Sequence, residues 1–102
     1  MDGIELIAAE RQRQISVENW TPEHDDKLIV GQLAAAAVCY ADEAFVQSWE
    51  PWSRRIDAIA PYGWPFDSLD FWKPSDDPIR NLVKAGALCA AEIDRLQRAK
   101  EK

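Results

Sequence analysis

The chain has a single histidine, His24, and this one scarcity removes a whole class of chemistry. Metal phosphohydrolases that use a His-Asp pair need at least one further histidine, because imidazole and carboxylate ligands must close around one ion. Cysteine is nearly as scarce. Cys39 and Cys89 each sit in an alanine-rich helical pattern and form no Cys-x-x-Cys pair, so both are expected as buried reduced thiols, not as a disulfide. The sequence also lacks a glycine-rich phosphate loop, a Gly-x-Ser-x-Gly elbow and a base beside either cysteine, which excludes a P-loop and nucleophilic catalysis. No apolar run approaches the roughly 20 residues that span a bilayer, and Met1 to Glu10 has no basic region followed by a long apolar one. The expected compartment is therefore the cytoplasm, with no membrane partner. Positive charge is short as well: 12 lysines and arginines face 18 acidic residues, for a net charge of −6. Such a field repels phosphate backbones and disfavours nucleic acid as a partner.

What remains suits one folded domain over residues 1–102, with 47% hydrophobic and 29% charged residues. Ile4, Ile7, Ala8, Arg11 and Ile15 recur at helical spacing and predict an amphipathic helix over about residues 3–16. Thr21 as cap, Pro22 at the first helical position and the acidic Glu23, Asp25 and Asp26 predict a second helix over about residues 22–42. Its stripe is Leu28, Leu33, Ala36, Ala37 and Tyr40. Ser75-Asp76-Asp77-Pro78 opens a last helix over about residues 78–99, whose stripe is Leu82, Val83, Gly86, Cys89, Ala90, Ile93 and Leu96. Between them, residues 43–74 gather most of the aromatic residues with Pro51, Pro61, Pro65 and Pro74. One or two short helices are expected there, with Phe45, Trp49, Trp52, Ile56 and Ile59 on one stripe, then an aromatic-pinned loop from Pro61 to Pro74. No stretch alternates with period two. The fold expected is an all-α bundle of three principal helices with an aromatic, proline-rich connection, in which Gly86 and Ala87 face the alanines of the second helix.

Two clusters could carry chemistry. Glu23-His24-Asp25-Asp26 offers carboxylates, and Glu23 with Asp26 has the Glu-x-x-Glu-like spacing of helical nucleotide pyrophosphohydrolases that hold magnesium. Those enzymes need a second acidic pair, and Glu92 with Asp94 points in two directions. A charged first turn that satisfies the helix dipole accounts for the same residues without a metal. The second cluster is aromatic. Five tryptophans exceed the usual need of a small helical core, and an indole offers a flat face for bases or cations. Lys73, Arg80 and Lys84 follow directly, so a planar anionic ligand could stack on Trp20, Trp64 or Trp72 and place its phosphates on these cations near a helix N-terminus. His24 and Asp25 would add polar recognition. The plainer account is that tryptophan and proline pin a loop to the bundle.

The motifs Glu10-Arg11-Gln12-Arg13-Gln14, Trp20-Thr21-Pro22-Glu23-His24-Asp25-Asp26, Gly31-Gln32-Leu33-Ala34, Ala37 to Ala41, Trp72-Lys73-Pro74 and Arg80 through Leu96 together resemble a group of short proteins from tailed phages and prophages. The likeness covers both ends of the chain and leaves the middle variable. Proteins of that group often carry glycine where Asn19 stands and a second histidine where Leu28 stands. Leu28 cannot ligate a metal, so a metal site shared across the group is not implied for this chain. The resemblance implies no particular activity. It does imply a small accessory role in the host cytoplasm, such as countering host immunity by sequestering a signalling nucleotide or blocking a host protein. Two function classes thus stand side by side: a non-enzymatic binder of a nucleotide-like ligand, with magnesium beside Glu23 and Asp26 if a phosphate is bound, and a helical interaction or inhibitor protein that acts on a host factor or self-associates as a homo-oligomer. A metal-dependent nucleotide hydrolase ranks behind both.

Overall fold

The structure, a computed structural model, describes residues 1–49, 63–66 and 71–101, and of Trp49 the backbone alone. Four helices are found in this part of the chain: α1 (Gly3–Ser16), α2 (Pro22–Asp25), α3 (Gln32–Trp49) and α4 (Pro78–Lys100). No strand occurs among the described residues. The all-α bundle with three principal helices is what the periodicity predicts. The short helices expected around Trp52, Ile56 and Ile59 lie outside the described residues.

Each helix starts where local chemistry can satisfy its first free N–H groups. Asp2 and Glu5 form a reciprocal capping box, with the Glu5 N–H donating to Asp2 Oδ1 at 2.9 Å and the Asp2 N–H donating to Glu5 Oε1 at 3.1 Å. Thr21 caps α2 and Asp77 caps α4, each followed by proline. The single helix expected over 22–42 is instead two. α2 is one turn long, the chain bends through Asp26–Gly31, and α3 begins after Gly31, whose φ of +82° no continuing helix allows. The Gln32 side chain helps this restart by accepting from the Val30 N–H at 2.9 Å. α3 then runs on to Trp49, beyond the expected end at 42.

The core lies between α3 and α4 and joins Leu33, Ala36, Ala37, Cys39 and Tyr40 to Ala85, Leu88 and Ala91, with Trp72 closing one side. The helices are antiparallel, since Gln47 near the end of α3 accepts at 2.9 Å from the Nδ2 of Asn81, near the start of α4. Asn81 is fully buried and also clamps the connection, donating to the Ser75 carbonyl and accepting from the Ser75 N–H, both at 2.8 Å.

Three expectations about packing are corrected. Gly86 does not face α3: a Cβ there would meet Ile7 of α1, so the glycine lets α1 rest on α4. α1 buries its Ile4 stripe only in part. Of that stripe Arg11 is buried and Ile7 and Ile15 are half-buried, but Ile4 and Ala8 are exposed, and the polar Glu10 and Gln14 are buried in their place. On α4, Leu82, Cys89, Ile93 and Leu96 are exposed, while Asn81, Val83, Ala85, Ala87, Leu88, Ala91, Glu92 and Arg95 point inward. Cys39 is thus a buried thiol and Cys89 an exposed one, and no disulfide joins them. The physical reason is common to these cases. Ion pairs such as Arg95 with Glu92, and the hydrogen-bonded Asn81, place polar side chains at inward positions, and periodicity alone cannot tell which of two apolar arcs meets a neighbour.

Candidate functional site

α1, α3, α4, the loop before α2 and the aromatic connection line a small cleft of about 40 Å³ that opens to solvent. Its walls are aromatic. Trp20, Tyr40, Trp64 and Phe71 line it, with Ala36 and Leu88 as apolar floor. The rings hold one another edge to face: Trp20 meets Phe66 at 5.9 Å and Phe71 at 6.1 Å, and Tyr40 meets Trp64 at 6.0 Å. Such contacts are each worth about 0.5–1.5 kcal/mol beyond area burial, so the walls are set without a ligand. Tyr40 also fixes the aromatic connection by its hydroxyl, which donates to the Phe71 carbonyl at 3.2 Å and accepts from the Lys73 N–H at 3.0 Å. Burial pushes the Tyr40 phenol above its ordinary pKa.

The polar lining is Glu10, Arg13, Gln14, Glu18, Lys73 and Lys84. Arg13 bridges the two carboxylates, bonding Glu10 at 2.8 Å and Glu18 at 3.1 Å, and Lys73 reaches Glu18 at 3.4 Å. Arg80 closes on Glu10 from α4. Burial pushes the Glu10 carboxyl up, yet hydrogen bonds from Arg13 and Arg80 outweigh it and hold the group below the usual carboxylate range. Glu18 is lowered in the same way: burial opposes, and Arg13 and Lys73 prevail. Lys84 differs from the other cations. Its ammonium donates to the Lys73 carbonyl and stands 5.5 Å from the Tyr40 ring centroid, but no carboxylate among the described residues pairs with it. Burial and the repulsion of Arg80 push its pKa below the ordinary lysine value. Gln14 turns its amide nitrogen toward Glu10 at 3.4 Å and leaves its buried Oε1 with no hydrogen-bond partner.

Of the residues singled out from the sequence, the structure brings Trp20, Trp64, Lys73 and Lys84 into this one cleft. Arg80 stands at its edge, committed to Glu10. Trp72 is buried behind the wall, 4.8 Å from Tyr40 and 5.1 Å from Trp64. His24 stacks on Trp20 at 5.2 Å with an interplanar angle of 29°, covering one face of the indole. Asp25 is fully buried, ion-paired with Arg11 at 2.9 Å and bonded to His24 Nδ1 at 3.1 Å. Arg11 also donates to the Trp20 carbonyl at 3.2 Å, so this pair positions Trp20 and His24 from below.

For magnesium, the structure gives Glu23 an exposed position and pairs Asp26 with Arg98 at 2.8 Å. The helix N-termini are likewise engaged. α2 is a single turn with few aligned peptide dipoles, and the Asp77 side chain accepts from the Ile79 N–H at the start of α4.

Glu10, Arg13, Gln14, Glu18, Tyr40 and Phe71 are the lining residues that sequence reasoning missed. A signal for two of them, Glu10 and Gln14, was present. Ile7, Glu10, Arg11 and Gln14 fall at i, i+3, i+4 and i+7, the positions an amphipathic helix turns inward, and polar residues there mark a helix that packs on a polar network or site. No family model, curated protein or solved structure matches the chain.

Proposed function

We propose that the protein is a non-enzymatic binder of a small planar ligand that carries an anionic group, with a mononucleotide or cyclic nucleotide as the first candidate. The observation that carries this reading is Lys84, a half-buried cation without a carboxylate partner among the described residues, at the edge of an aromatic-walled cleft that opens to solvent. A base stacked on Trp20 or Trp64 at the open rim of the cleft would gain about 1–3 kcal/mol. Its phosphate would complete the environment of Lys84 and compete with Glu18 for Lys73. Gln14 Oε1, unpaired beside the cleft, suits an N–H or O–H donor on the ligand. The two carboxylates Glu10 and Glu18 are already neutralised by Arg13, Arg80 and Lys73, which removes most of their repulsion toward an anion. Arg80 would then act through Glu10, and Asp25 through His24 and Trp20. In the phage or prophage setting that the resemblance implies, sequestering a host signalling nucleotide is the use such a binder would have.

The test is a thermal-shift and native mass spectrometry screen of linear and cyclic nucleotides, with and without magnesium, on the wild type, Trp64→Ala and Lys84→Met. A nucleotide that raises the wild-type Tm and loses at least tenfold in affinity with both variants supports the reading. If no nucleotide copurifies or shifts Tm, the cleft is a packing feature, and the interaction-protein reading takes its place.

A further inference from the structure

Of the lysines in the described residues, Lys27, Lys73 and Lys100 are exposed and Lys84 is half-buried. Its side chain shares the cleft with Ala36, Tyr40, Trp64 and Leu88, so rings and methyl groups stand where water surrounds the other three. One hydrogen bond tethers it: Nζ donates to the Lys73 carbonyl, 5.5 Å from the Tyr40 ring centroid. Lys73 has Glu18 as an ionic partner at 3.4 Å, whereas no carboxylate among the described residues pairs with Lys84.

An ammonium holds its proton through water and through opposite charge, and here both are reduced. Burial removes water, and Arg80, one turn earlier on α4, repels a second positive charge. Glu10 and Glu18 pull the other way, but Arg13, Arg80 and Lys73 already bond them. A lysine in apolar surroundings beside another cation is the kind that gives up its proton and becomes a nucleophile toward carbonyl carbon.

We propose that Lys84 captures a planar aldehyde bearing an anionic substituent, as a reversible imine at Nζ. This rests on the reading of the cleft as a site for planar anionic ligands, and it names a covalent class of them. The Nζ lone pair bonds to the carbonyl carbon while the C=O π pair moves onto oxygen. One proton passes from nitrogen to that oxygen to give the carbinolamine. The hydroxyl then leaves with the second nitrogen proton as water, and C=N remains; no oxidant or reductant is consumed. Each part of the cleft has a share in this. Its small volume, about 40 Å³, admits the carbonyl end of a ligand and leaves the ring to stack on Trp20 or Trp64 at the open rim. Lys73, whose bond to Glu18 is exposed, can turn to the anionic substituent. The apolar side chains beside Nζ keep water from the imine and slow its hydrolysis.

The test treats the full chain near neutral pH with pyridoxal 5′-phosphate, a planar anionic aldehyde, and fixes the imine with borohydride. Peptide mapping by mass spectrometry then reports which lysine is modified. Lys84 should be labelled at least tenfold faster than Lys27 or Lys100, and the preference should vanish in urea. Pyridoxal, which lacks the phosphate, should label Lys84 at least tenfold more slowly. Lys84→Arg keeps the positive charge and should lose the adduct with an unchanged far-ultraviolet circular dichroism spectrum. A Lys84 adduct in a protein that binds no nucleotide supports the imine and removes only the nucleotide as ligand. Nucleotide binding without a preferred Lys84 adduct overturns the imine and leaves the binding reading intact. Equal labelling of all lysines in the folded wild type likewise overturns the proposal.

Discussion

Replacing Asp25 with asparagine keeps the volume of the side chain and removes its charge, so it isolates what the buried ion pair contributes. Asp25 is fully buried, and its two oxygens are divided between Arg11 Nη2 at 2.9 Å and His24 Nδ1 at 3.1 Å. In Asp25→Asn, Arg11 keeps its bond to the Trp20 carbonyl but stands largely desolvated with no opposite charge. Breaking a buried pair by removing one partner costs about 3–5 kcal/mol; a retained amide oxygen recovers part of this, so about 2–3 kcal/mol is expected. For a domain of 102 residues, that corresponds to a Tm lower by roughly 10–20 °C. Urea and thermal unfolding of the wild type, Arg11→Met, Asp25→Asn and the double variant form a cycle. The double variant should be clearly more stable than the sum of the two single effects predicts, because it no longer buries a lone guanidinium. A loss below about 1 kcal/mol in Asp25→Asn, or strictly additive effects, would refute this account of the pair. If Asp25→Asn kept its stability yet lost nucleotide affinity, the carboxylate would be a direct ligand contact.

Three further outcomes follow from the packing and the charges. Gly86→Ala gains about 0.5–1 kcal/mol of helix propensity but sets its Cβ 2.5 Å from Ile7 Cδ1 and 2.8 Å from Cγ1, so the Ile7 side chain must leave its place against α4; a net loss of about 1 kcal/mol is expected, and Ile7→Ala in the same chain should remove the clash, as paired denaturation curves would report. Glu10 and Glu18 titrate below the ordinary carboxylate value of 4.5 in the folded chain, so they contribute stability above that pH and lose it as pH falls through their folded values; the fall of Tm below pH 4.5 should be shallower in Glu10→Gln than in the wild type. Lys84 has the opposite consequence: its pKa lies below the ordinary lysine value of 10.5, the folded chain releases its proton first, and stability rises with pH through that window. Lys84→Met should therefore raise Tm by a few degrees at neutral pH while weakening nucleotide binding, and a variant that lowers Tm would place Lys84 in the core and not at a site.

What the sequence by itself determined is local. Caps and prolines at Thr21-Pro22 and Asp77-Pro78, and apolar spacing along 3–16 and 78–99, act within a few residues, and the helix starts and the span of α1 and α4 follow from them. The aromatic connection was legible for the same reason, since proline excludes regular structure and clustered rings must pack. Only the tertiary structure decided that the helix expected over 22–42 breaks at Gly31, because the glycine is compatible with either course and the Arg98 bond to Asp26 holds α2 against α4. It also decided which arc of each helix is covered. A 3-4 repeat such as Leu82, Cys89, Ile93 and Leu96 satisfies the rule for a core face, but α4 has two such arcs, and the neighbour that buries one of them lies some 40 or more residues away in the chain. The site shares this origin. Glu10, Gln14, Tyr40, Trp64 and Lys84 come from three helices and the connection, and no spacing along the chain encodes the distances between them, because those distances exist only once α1 is seated on Gly86 and the Tyr40 hydroxyl has drawn in Phe71 and Lys73.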